Sequence, residues 1–517
     1  MNRNIKKLFC CLLVFTFTSS ILGGCFKKEQ AQKASSLKPI QLVYYKLFDD
    51  EDVIRPLIQQ YQALHPMVSI KYKKFDNADD YYRTILNELA EGEGPDIFSV
   101  PNYWLKRNAK KIAPLDPKTF GAKAFASTFA SVAEKDAVFV DPRDGVNKVF
   151  ALPMAIDTLA IYFNKNLYED RIPARGRPAS TWDDFKDDIF KLTKSDNSFE
   201  RFEVGGVAMG RADNVARAMD ILYLLMLQYK VDFYNDAFNQ AEFSKQNAVV
   251  NSGTSLNPAT EALKLYTSFG LASQKNYSWN EYMVEADSDV KEMEAFARGK
   301  VATIFGYSYL YEQIKDEITQ LKSKNVQTID PNIIGVSVVP QVNDPKTSTE
   351  KRDAFANYFV ETVSRNSENN KVAWDFLLFI TSKDNLAYYN QKTHKPTSRR
   401  DLIEKQKEDA IYGVFAEQVG YAESLVLYDW DMYRQIFSKA IAGILATNET
   451  PREAIQKAEA EINAVLPDEG ILLAPPVIPA GTKATDDKAK ASQTTKESAP
   501  NNATSNNSSS AKNANTK

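Results

Sequence analysis

The fold is decided by residues 40–100, which read IQLVYYKLFDDEDVIRPLIQQYQALHPMVSIKYKKFDNADDYYRTILNELAEGEGPDIFSV. The apolar run from Ile40 to Tyr45 predicts a buried strand. Apolar residues then recur at helical spacing between Val53 and Leu64, directly behind the acidic residues at 49–52. Because negative charge stabilises the N-terminus of a helix, we interpret the acidic cluster as a helix start rather than as a metal site.

The same stretch continues with a second strand, a second helix and a third strand. Alternating apolar residues at 68–72 predict a strand, the apolar face at 82–89 predicts a helix, and the run from Ile97 to Val100 predicts a strand again. Strands and helices that alternate at this spacing build a parallel sheet with crossover helices. Ligands of such sheets bind at the carboxyl ends of the strands, so the residues that follow each strand are candidate binding residues.

The alternation of strands and helices returns along the rest of the chain. Further strands are predicted at residues 149–154, 158–163, 204–209, 301–305 and 333–339. Helices are predicted at residues 182–192 and 213–229, and helical patterns dominate residues 371–466. The pattern therefore predicts an α/β protein.

Residues 1–24 predict an export signal. A basic front precedes an apolar run that is too short, and too often interrupted by Thr and Ser, to span a membrane. The run ends in LGGC at residues 22–25, which resembles the bacterial lipobox. The resemblance implies cleavage before Cys25, a diacylglycerol on its thiol and a membrane anchor for the mature chain. The alternative is an ordinary signal peptide with a chance Cys.

Composition excludes several classes of function. The formal net charge is −3, from 64 basic and 67 acidic residues, whereas a general nucleic-acid binder carries a basic excess. Of the three Cys only Cys25 would remain in the mature protein, so no disulfide within one chain is expected. Two His cannot form a three-His metal site, and no phosphate-cradling loop or dinucleotide fingerprint occurs. The sequence therefore predicts no metal, no cofactor and no nucleic-acid partner.

Motifs in a fixed order along residues 39–466 carry a family resemblance. They are GPDIF at 94–98 with NYW at 102–104, LPMAIDT at 152–158 with YFNK at 162–165, FARGKVA at 296–302 with FGYS at 305–308, and AWDF at 373–376 with KPTSR at 395–399. Together they resemble the family-1 extracellular solute-binding proteins of ABC importers, the maltose-binding type. Each motif alone is weak, and their order and spacing make the match specific.

The resemblance implies a two-lobe, type II periplasmic-binding-protein-like fold, in which mixed sheets flanked by helices form two lobes that close on a ligand about a hinge. It implies lobe 1 at residues 39–155 plus 358–393 and lobe 2 at residues 156–357 plus 394–466. A polar tether at residues 25–38 precedes the lobes. The low-complexity tail at residues 467–517 has too little apolar surface to fold, so we predict that it is disordered.

Carried over by position, the resemblance implies that ligand-binding residues follow strand ends in both lobes. The candidates are Tyr45, Lys46, Asn102, Tyr103, Trp104, Asp157, Arg211, Asp213, Tyr307, Tyr309, Tyr428, Asp429 and Trp430. The aromatic rings would cover the apolar face of a sugar, and the polar groups would orient its hydroxyls. Each candidate has an alternative role, the aromatic residues as core residues and Lys46 and Arg211 as solvated surface charges.

The predicted function is that of a monomeric binding protein anchored outside the cytoplasm by lipidated Cys25. It captures a small solute, an oligosaccharide, and delivers it to the transmembrane subunits of an ABC permease without chemistry. Two alternatives stay open at this point. One is a lipid-anchored glycan hydrolase, since carboxylate pairs are frequent in the sequence. The other is a binding protein repurposed for signalling or adhesion.

Overall fold

The computed structural model describes residues 38–141, 143–195, 201–246, 256–284, 291–447 and 449–471. The predicted signal peptide, Cys25, the tether up to residue 37 and residues 472–517 of the predicted tail lie outside the described residues. Within the described ranges, no helix is both long enough and apolar enough to cross a membrane.

The described residues form an α/β fold, as predicted. The strands are β1 (Ile40–Leu47), β2 (Val68–Phe75), β3 (Ile97–Pro101), β4 (Val138–Val140), β5 (Asn147–Val149), β6 (Ala160–Asn164), β7 (Lys194–Ser195), β8 (Phe202–Val204), β9 (Thr303–Gly306), β10 (Ile334–Ser337), β11 (Ala354–Phe355), β12 (Phe359–Val363) and β13 (Ala422–Glu423). The helices are α1 (Glu51–Leu64), α2 (Ala78–Glu91), α3 (Ala122–Thr128), α4 (Ser131–Ala137), α5 (Lys165–Arg171), α6 (Trp182–Leu192), α7 (Ala218–Gln228), α8 (Pro258–Ser268), α9 (Glu292–Ala297), α10 (Leu310–Ser323), α11 (Asn370–Ile380), α12 (Lys383–Thr393), α13 (Arg400–Gln406), α14 (Gly413–Val419), α15 (Trp430–Thr447) and α16 (Pro451–Asn463).

The first sheet has the strand order β12–β3–β1–β2. β1 pairs in parallel with β2 and β3, and helices α1 and α2 connect these strands, as the opening stretch of sequence predicts. β12 runs antiparallel to β3, with Phe359 opposite Pro101. The carboxyl ends of β1 and β3 and the first residue of β12 therefore meet at one edge of the sheet.

The second sheet has the order β10–β6–β9, and β6 runs antiparallel to both neighbours. Ala160, the first residue of β6, pairs with Gly306, the last residue of β9. This register brings the residues that precede β6 next to the residues that follow β9. The loops before β6 and after β9 therefore share one edge of the second sheet.

The strand predicted at residues 204–209 shares only Val204 with the observed β8, which covers Phe202–Val204. β8 ends at Val204, and Gly205 makes one isolated bridge beyond it. Gly205 and Gly206 pass so close to neighbouring backbone that a Cβ on either would lie 2.7 Å from a carbonyl oxygen. Close packing of this glycine pair, rather than a continued ladder, decides the path of the segment.

Two other predicted elements also differ in extent. The strand predicted at residues 149–154 ends at Val149, and Pro153 has no N–H with which to extend the ladder. The helix predicted at residues 213–229 begins at Ala218, because the side chains before it make ion pairs and hydrogen bonds across the loop. These corrections move the ends of the elements without changing their order.

Among the described residues, buried apolar side chains form two clusters. The first cluster surrounds the first sheet and draws its residues from 42–156 and 356–389, with Leu402, Val419 and Ala422. The second cluster surrounds the second sheet and draws its residues from 159–355 and 412–462. The chain therefore passes between the two clusters more than once.

The crossing segments, which run between the clusters, include residues 155–158 and 356–357, and residues 396–397, which belong to the part of the chain around the first cluster, pair with the first of them. Their backbones are hydrogen-bonded to one another. The N–H of Ile156 donates to the carbonyl of Pro396 at 3.1 Å, and the N–H of Asn357 donates to the carbonyl of Asp157 at 3.2 Å. Isolated β-bridges continue this pairing on either side. Residues 155–158 and 356–357 thus form a backbone-paired ribbon between the clusters, and the chain crosses again between Leu402 and Tyr412 and along residues 415–425.

A buried ion network ties β1 to β12. The ammonium of Lys46 contacts the carboxylate of Glu361 and lies 3.4 Å from that of Asp49. Glu361 also accepts hydrogen bonds from the hydroxyls of Tyr44 (2.8 Å) and Ser99 (2.7 Å). Burial disfavours a charged lysine, but the two carboxylates outweigh it and raise the pKa of Lys46. Lys46 therefore stays charged inside the first cluster.

Replacing Glu361 with Gln would leave the Lys46 ammonium buried with one carboxylate fewer. We expect this variant to lose about 3 kcal/mol in free energy of unfolding, measured by chemical denaturation. The control is Glu51→Gln, which removes the partner of Arg55 in a pair that is 55% exposed on both sides. That change should cost less than about 1 kcal/mol. Equal losses in the two variants would contradict the structural role of the network.

Candidate functional site

Tyr103 and Trp430 stack on each other between the two clusters. Tyr103 follows β3 in a short 3₁₀ turn and packs on the first cluster, whereas Trp430 begins α15 and packs on the second. Their ring centroids are 5.4 Å apart, and the ring planes differ by 23°. Trp430 also meets the ring of Tyr223 edge-on at 5.4 Å. Two sequence-predicted candidates from opposite clusters therefore face each other.

The same two segments make a second contact. The guanidinium of Arg107 lies 4.4 Å from the centroid of the Tyr428 ring and also donates to the Tyr428 carbonyl. Asp429 lies between the contacts, and its carboxylate accepts a hydrogen bond from the backbone N–H of Met432 at 2.9 Å. Asp429 thus serves α15 as a helix cap. The segment that carries Tyr428 and Trp430 meets the first cluster through one cation–π contact and one ring stack.

Tyr307 and Tyr309 form an aromatic wall after β9, with ring centroids 6.1 Å apart. The guanidinium of Arg217 lies 5.5 and 5.8 Å from the two ring centroids and donates to the Tyr309 hydroxyl at 2.7 Å. The Tyr307 hydroxyl donates to the carboxylate of Asp220 at 2.7 Å. Burial raises the pKa of Asp220. Tyr309 remains 40% exposed and thus accessible to a ligand.

Asp157 lies in a crossing segment, at the base of this wall. Its carboxylate accepts hydrogen bonds from the backbone N–H (3.1 Å) and the hydroxyl (2.7 Å) of Ser308, and from the N–H of Thr158 (3.0 Å). Burial outweighs these hydrogen bonds and raises the pKa of Asp157 to about 6. The carboxyl group is therefore held in place by the residue that follows Tyr307.

Asn102 and Trp104 flank Tyr103 but contact the first cluster. The Asn102 amide donates to Asp136 at 3.0 Å, and the Trp104 ring lies 6.4 Å from the ring of Tyr82. Both side chains are at most 9% exposed. In this arrangement they support the turn that presents Tyr103.

Other sequence-predicted residues make their contacts elsewhere. The Tyr45 ring meets Phe75 at 5.3 Å, and Lys46 belongs to the buried ion network. Arg211 pairs with Asp213 at 2.6 Å and with a second carboxylate at 2.7 Å. No described contact of these residues reaches the Tyr103–Trp430 stack or the wall formed by Tyr307 and Tyr309.

The sequence argument missed Arg217, Asp220 and Tyr223, which line the wall and the stack. They stand three residues apart along α7 and its first turn, inside a segment that is otherwise almost entirely apolar. Charged residues in a buried apolar helix are rare unless they are paired or functional. Charged residues at this spacing in an apolar segment were therefore the sequence feature that could have identified them as candidates.

Comparison with known proteins identifies the family. The family model of bacterial extracellular solute-binding proteins matches residues 48–387, more than half of the chain. The chain belongs to this family. Proteins of Brucella abortus and Brucella suis, described only as binding proteins, are each 25% identical to it over 420 residues, which cover 78% of this chain and 88% of the relative.

Solved structures of solute-binding proteins share the fold. A cyclo/maltodextrin-binding protein complexed with maltotetraose has a TM-score of 0.61 at 16% identity, over 83% of this chain and 98% of its own. The sugar-binding protein MalE from Xanthomonas citri has a TM-score of 0.64 at 14% sequence identity, over 84% of this chain and 97% of its own. An ABC substrate-binding protein from Listeria monocytogenes in complex with cycloalternan has a TM-score of 0.60 at 15% sequence identity, over 83% of this chain and 99% of its own. The predicted two-lobe fold of this family is thereby confirmed.

A cavity elsewhere in the described residues lies apart from the candidate site. This cavity of about 450 Å³ is lined by Arg352, Glu417 and Tyr421 among others and shares no residue with the stack or the wall; Arg352 and Glu417 pair there at 2.8 Å. In the part of the chain that the structure describes, no group of His, Cys, Asp or Glu could hold a metal ion. The candidate site therefore consists of the Tyr103–Trp430 stack, the wall and Asp157.

The raised pKa of Asp157 predicts a pH-dependent stability. The unfolded carboxyl ionises near pH 4 and the folded one near pH 6, so folding takes up a proton in this window. The stabilisation is complete below about pH 4 and is lost as the pH rises through about pH 6. In thermal melts of ligand-free protein, Tm of the wild type relative to Asp157→Asn should therefore be higher at pH 4.5 than at pH 7. Asp183→Asn is the control, since its carboxylate is 89% exposed. A constant difference across this range would contradict the assignment.

Proposed function

We propose that this protein captures an oligosaccharide between its two lobes, outside the cytoplasm, and hands it unchanged to the transmembrane subunits of an ABC permease. The observation that carries the proposal is the stack of Tyr103 on Trp430. The two rings come from opposite clusters, and a flat aromatic face is the natural partner of the apolar face of a sugar.

The geometry of the stack supports entry by lobe opening. A sugar held between two rings touches each at about 3.5–4.0 Å, so the ring planes must stand roughly 7–8 Å apart. The centroids of Tyr103 and Trp430 are 5.4 Å apart, which leaves no room for a guest. The lobes therefore swing apart at the crossing segments, and the sugar replaces the contact between the rings.

Fixed polar groups around the stack suit the hydroxyls of a sugar. Arg217, Asp220 and Asp157 are each held by hydrogen bonds to neighbours, so they present donors and acceptors in set directions. Such groups orient a ligand without a large loss of side-chain entropy on binding. The neighbouring structures with bound maltotetraose and cycloalternan agree with a glycan as the guest.

The same contacts favour binding over hydrolysis. A glycosidase places a proton donor and a nucleophile or base on either side of the bond that it cleaves. Asp157 and Asp220 instead accept hydrogen bonds from Ser308 and Tyr307 within the same wall. The family and its solved members are binding proteins, which points the same way.

Replacing Trp430 with Ala tests the role of the stack. Loss of a central aromatic contact should weaken oligosaccharide binding by about thirtyfold, equal to roughly 2 kcal/mol, measured by calorimetric titration after a glycan screen of the wild type. Tyr103→Ala should weaken binding in the same direction from the other lobe.

Phe190→Ala is the matched control, because Phe190 is an aromatic residue that is 51% exposed on α6. It should bind like the wild type. Bound glycan is then recovered and weighed by mass spectrometry. Unchanged affinity in Trp430→Ala, or cleaved product from the wild type, would overturn the proposal in favour of another site or of a hydrolase.

The anchor is tested at Cys25. If its thiol carries the lipid, a Cys25→Ser variant expressed in a bacterial host will not incorporate labelled fatty acid and will shift from the membrane to the soluble fraction. Cys10→Ser and Cys11→Ser, within the predicted signal peptide, should keep the label. A variant lacking Cys25 that remains labelled would refute the lipobox interpretation.

A further inference from the structure

Phe48, the residue after β1, stands in a strained turn. Its φ is +70°, and the N–H of Asp49 donates to the carbonyl of Leu47 at 3.0 Å, which closes a three-residue γ-turn of the rare positive-φ kind. Residues with a Cβ avoid this region because the Cβ crowds the neighbouring carbonyl oxygen. The Phe48 ring is nevertheless 52% exposed, so its burial does not account for the strain.

The surroundings of Phe48 hold the turn from both sides. The N–H of Phe48 donates to the carbonyl of Phe75 at 2.8 Å. Leu47 is buried in the first cluster, and the Asp49 carboxylate is bound by Lys46 and Lys395. Strained conformations persist where neighbours determine them in this way, and they concentrate at ligand sites.

The Phe48 ring lies across the edge of the sheet that carries the candidate site. β3 separates β1 from β12, yet the Phe48 ring is 6.3 Å from the ring of Phe359 at the start of β12. Adjacent strands are about 4.8 Å apart, so the ring must lean over the end of β3 to reach Phe359. Tyr103 follows that same strand end. The ring therefore covers the edge of the first sheet where β3 ends, which forms the floor of the first lobe.

We propose that Phe48 is a specificity-determining residue of the oligosaccharide site, and that its ring takes the apolar face of one sugar unit. The inference rests on the proposed function. A ring without a polar group contributes face contact alone. Phe48 thus favours a unit that turns a C–H face to the first lobe and disfavours one that carries a charged group there, since that charge would lose water without gaining a partner.

The test compares Phe48→Ala with Phe48→Gly in calorimetric titrations of the full chain. The probe is maltotetraose, or the tightest oligosaccharide of the screen if the wild type does not take maltotetraose. Both variants should weaken binding by about tenfold, because both lack the ring. Phe48→Gly should nevertheless melt at a higher Tm than Phe48→Ala in the absence of ligand, because glycine accepts a φ of +70° without strain.

Two controls complete the design. Phe48→Tyr keeps the ring and should retain affinity within about threefold. Phe238→Gly makes the same substitution at another positive-φ phenylalanine, whose ring packs on Tyr234, and should leave affinity unchanged. Wild-type affinity in Phe48→Ala and Phe48→Gly would overturn the inference while the proposed function stands. A wild type that binds no oligosaccharide would overturn the proposed function itself.

Discussion

The backbone pairing of the crossing segments is the constraint on which the rest of the structure depends. The two apolar clusters have no residue in common, and the hydrogen bonds from Ile156 to Pro396 and from Asn357 to Asp157 hold together the segments that connect them. Ladder hydrogen bonds resist sliding but allow a ribbon to twist and bend. In the proposed function the ribbon is the hinge. Asp157 belongs to both hinge and site, because its carbonyl pairs with Asn357 in the ribbon and its carboxylate binds Ser308 beside the wall.

Each side of the site is supported differently. On the first lobe the buried network around Lys46, Glu361 and Asp49 holds the end of β1, and Lys395 extends the network to the segment whose Pro396 pairs with Ile156. Burial opposes ionisation of Asp49, yet Lys395 and Lys46 hold its pKa below the ordinary value. A network that is satisfied at every charge is rigid, because moving any member leaves another buried and unpaired. Lys46 is thus a buried support for the floor of the first lobe.

On the second lobe the site is built from rings and one guanidinium. Arg217 lies against Tyr307 and Tyr309 and reaches the latter through its hydroxyl. The ring of Tyr223 meets the ring of Trp430 edge-on. Rings carry few rotatable bonds, so a wall of this kind is preorganised at little entropic cost. In the proposed function the rigid floor and this wall close on the guest as two preformed surfaces.

The sequence predicted most elements correctly, and the contacts of several predicted site residues differ from expectation where the ends of the elements differ. β1 ends at Leu47, two residues beyond the predicted Tyr45, so the residue that follows the strand is Phe48 and not Lys46. β8 ends early and α7 begins late, which moves the charges that meet the wall from Arg211 and Asp213 to Arg217 and Asp220. At β3 the predicted end, Val100, is only one residue short of the observed end, Pro101, and the next residues do include Tyr103. The ends of elements depend on capping and packing, which a periodic pattern does not report.

The sequence by itself determined the α/β class, the order of the elements and the family, because apolar periodicity and motif order are local properties of the chain. The tertiary structure alone decided which of many aromatic and charged residues meet. The ring of Trp430 stacks on the ring of Tyr103, and the ammonium of Lys46 pairs with the carboxylate of Glu361, which lies 315 residues away in the sequence. Partners so far apart are chosen by the packing of whole elements, and no local pattern encodes that choice.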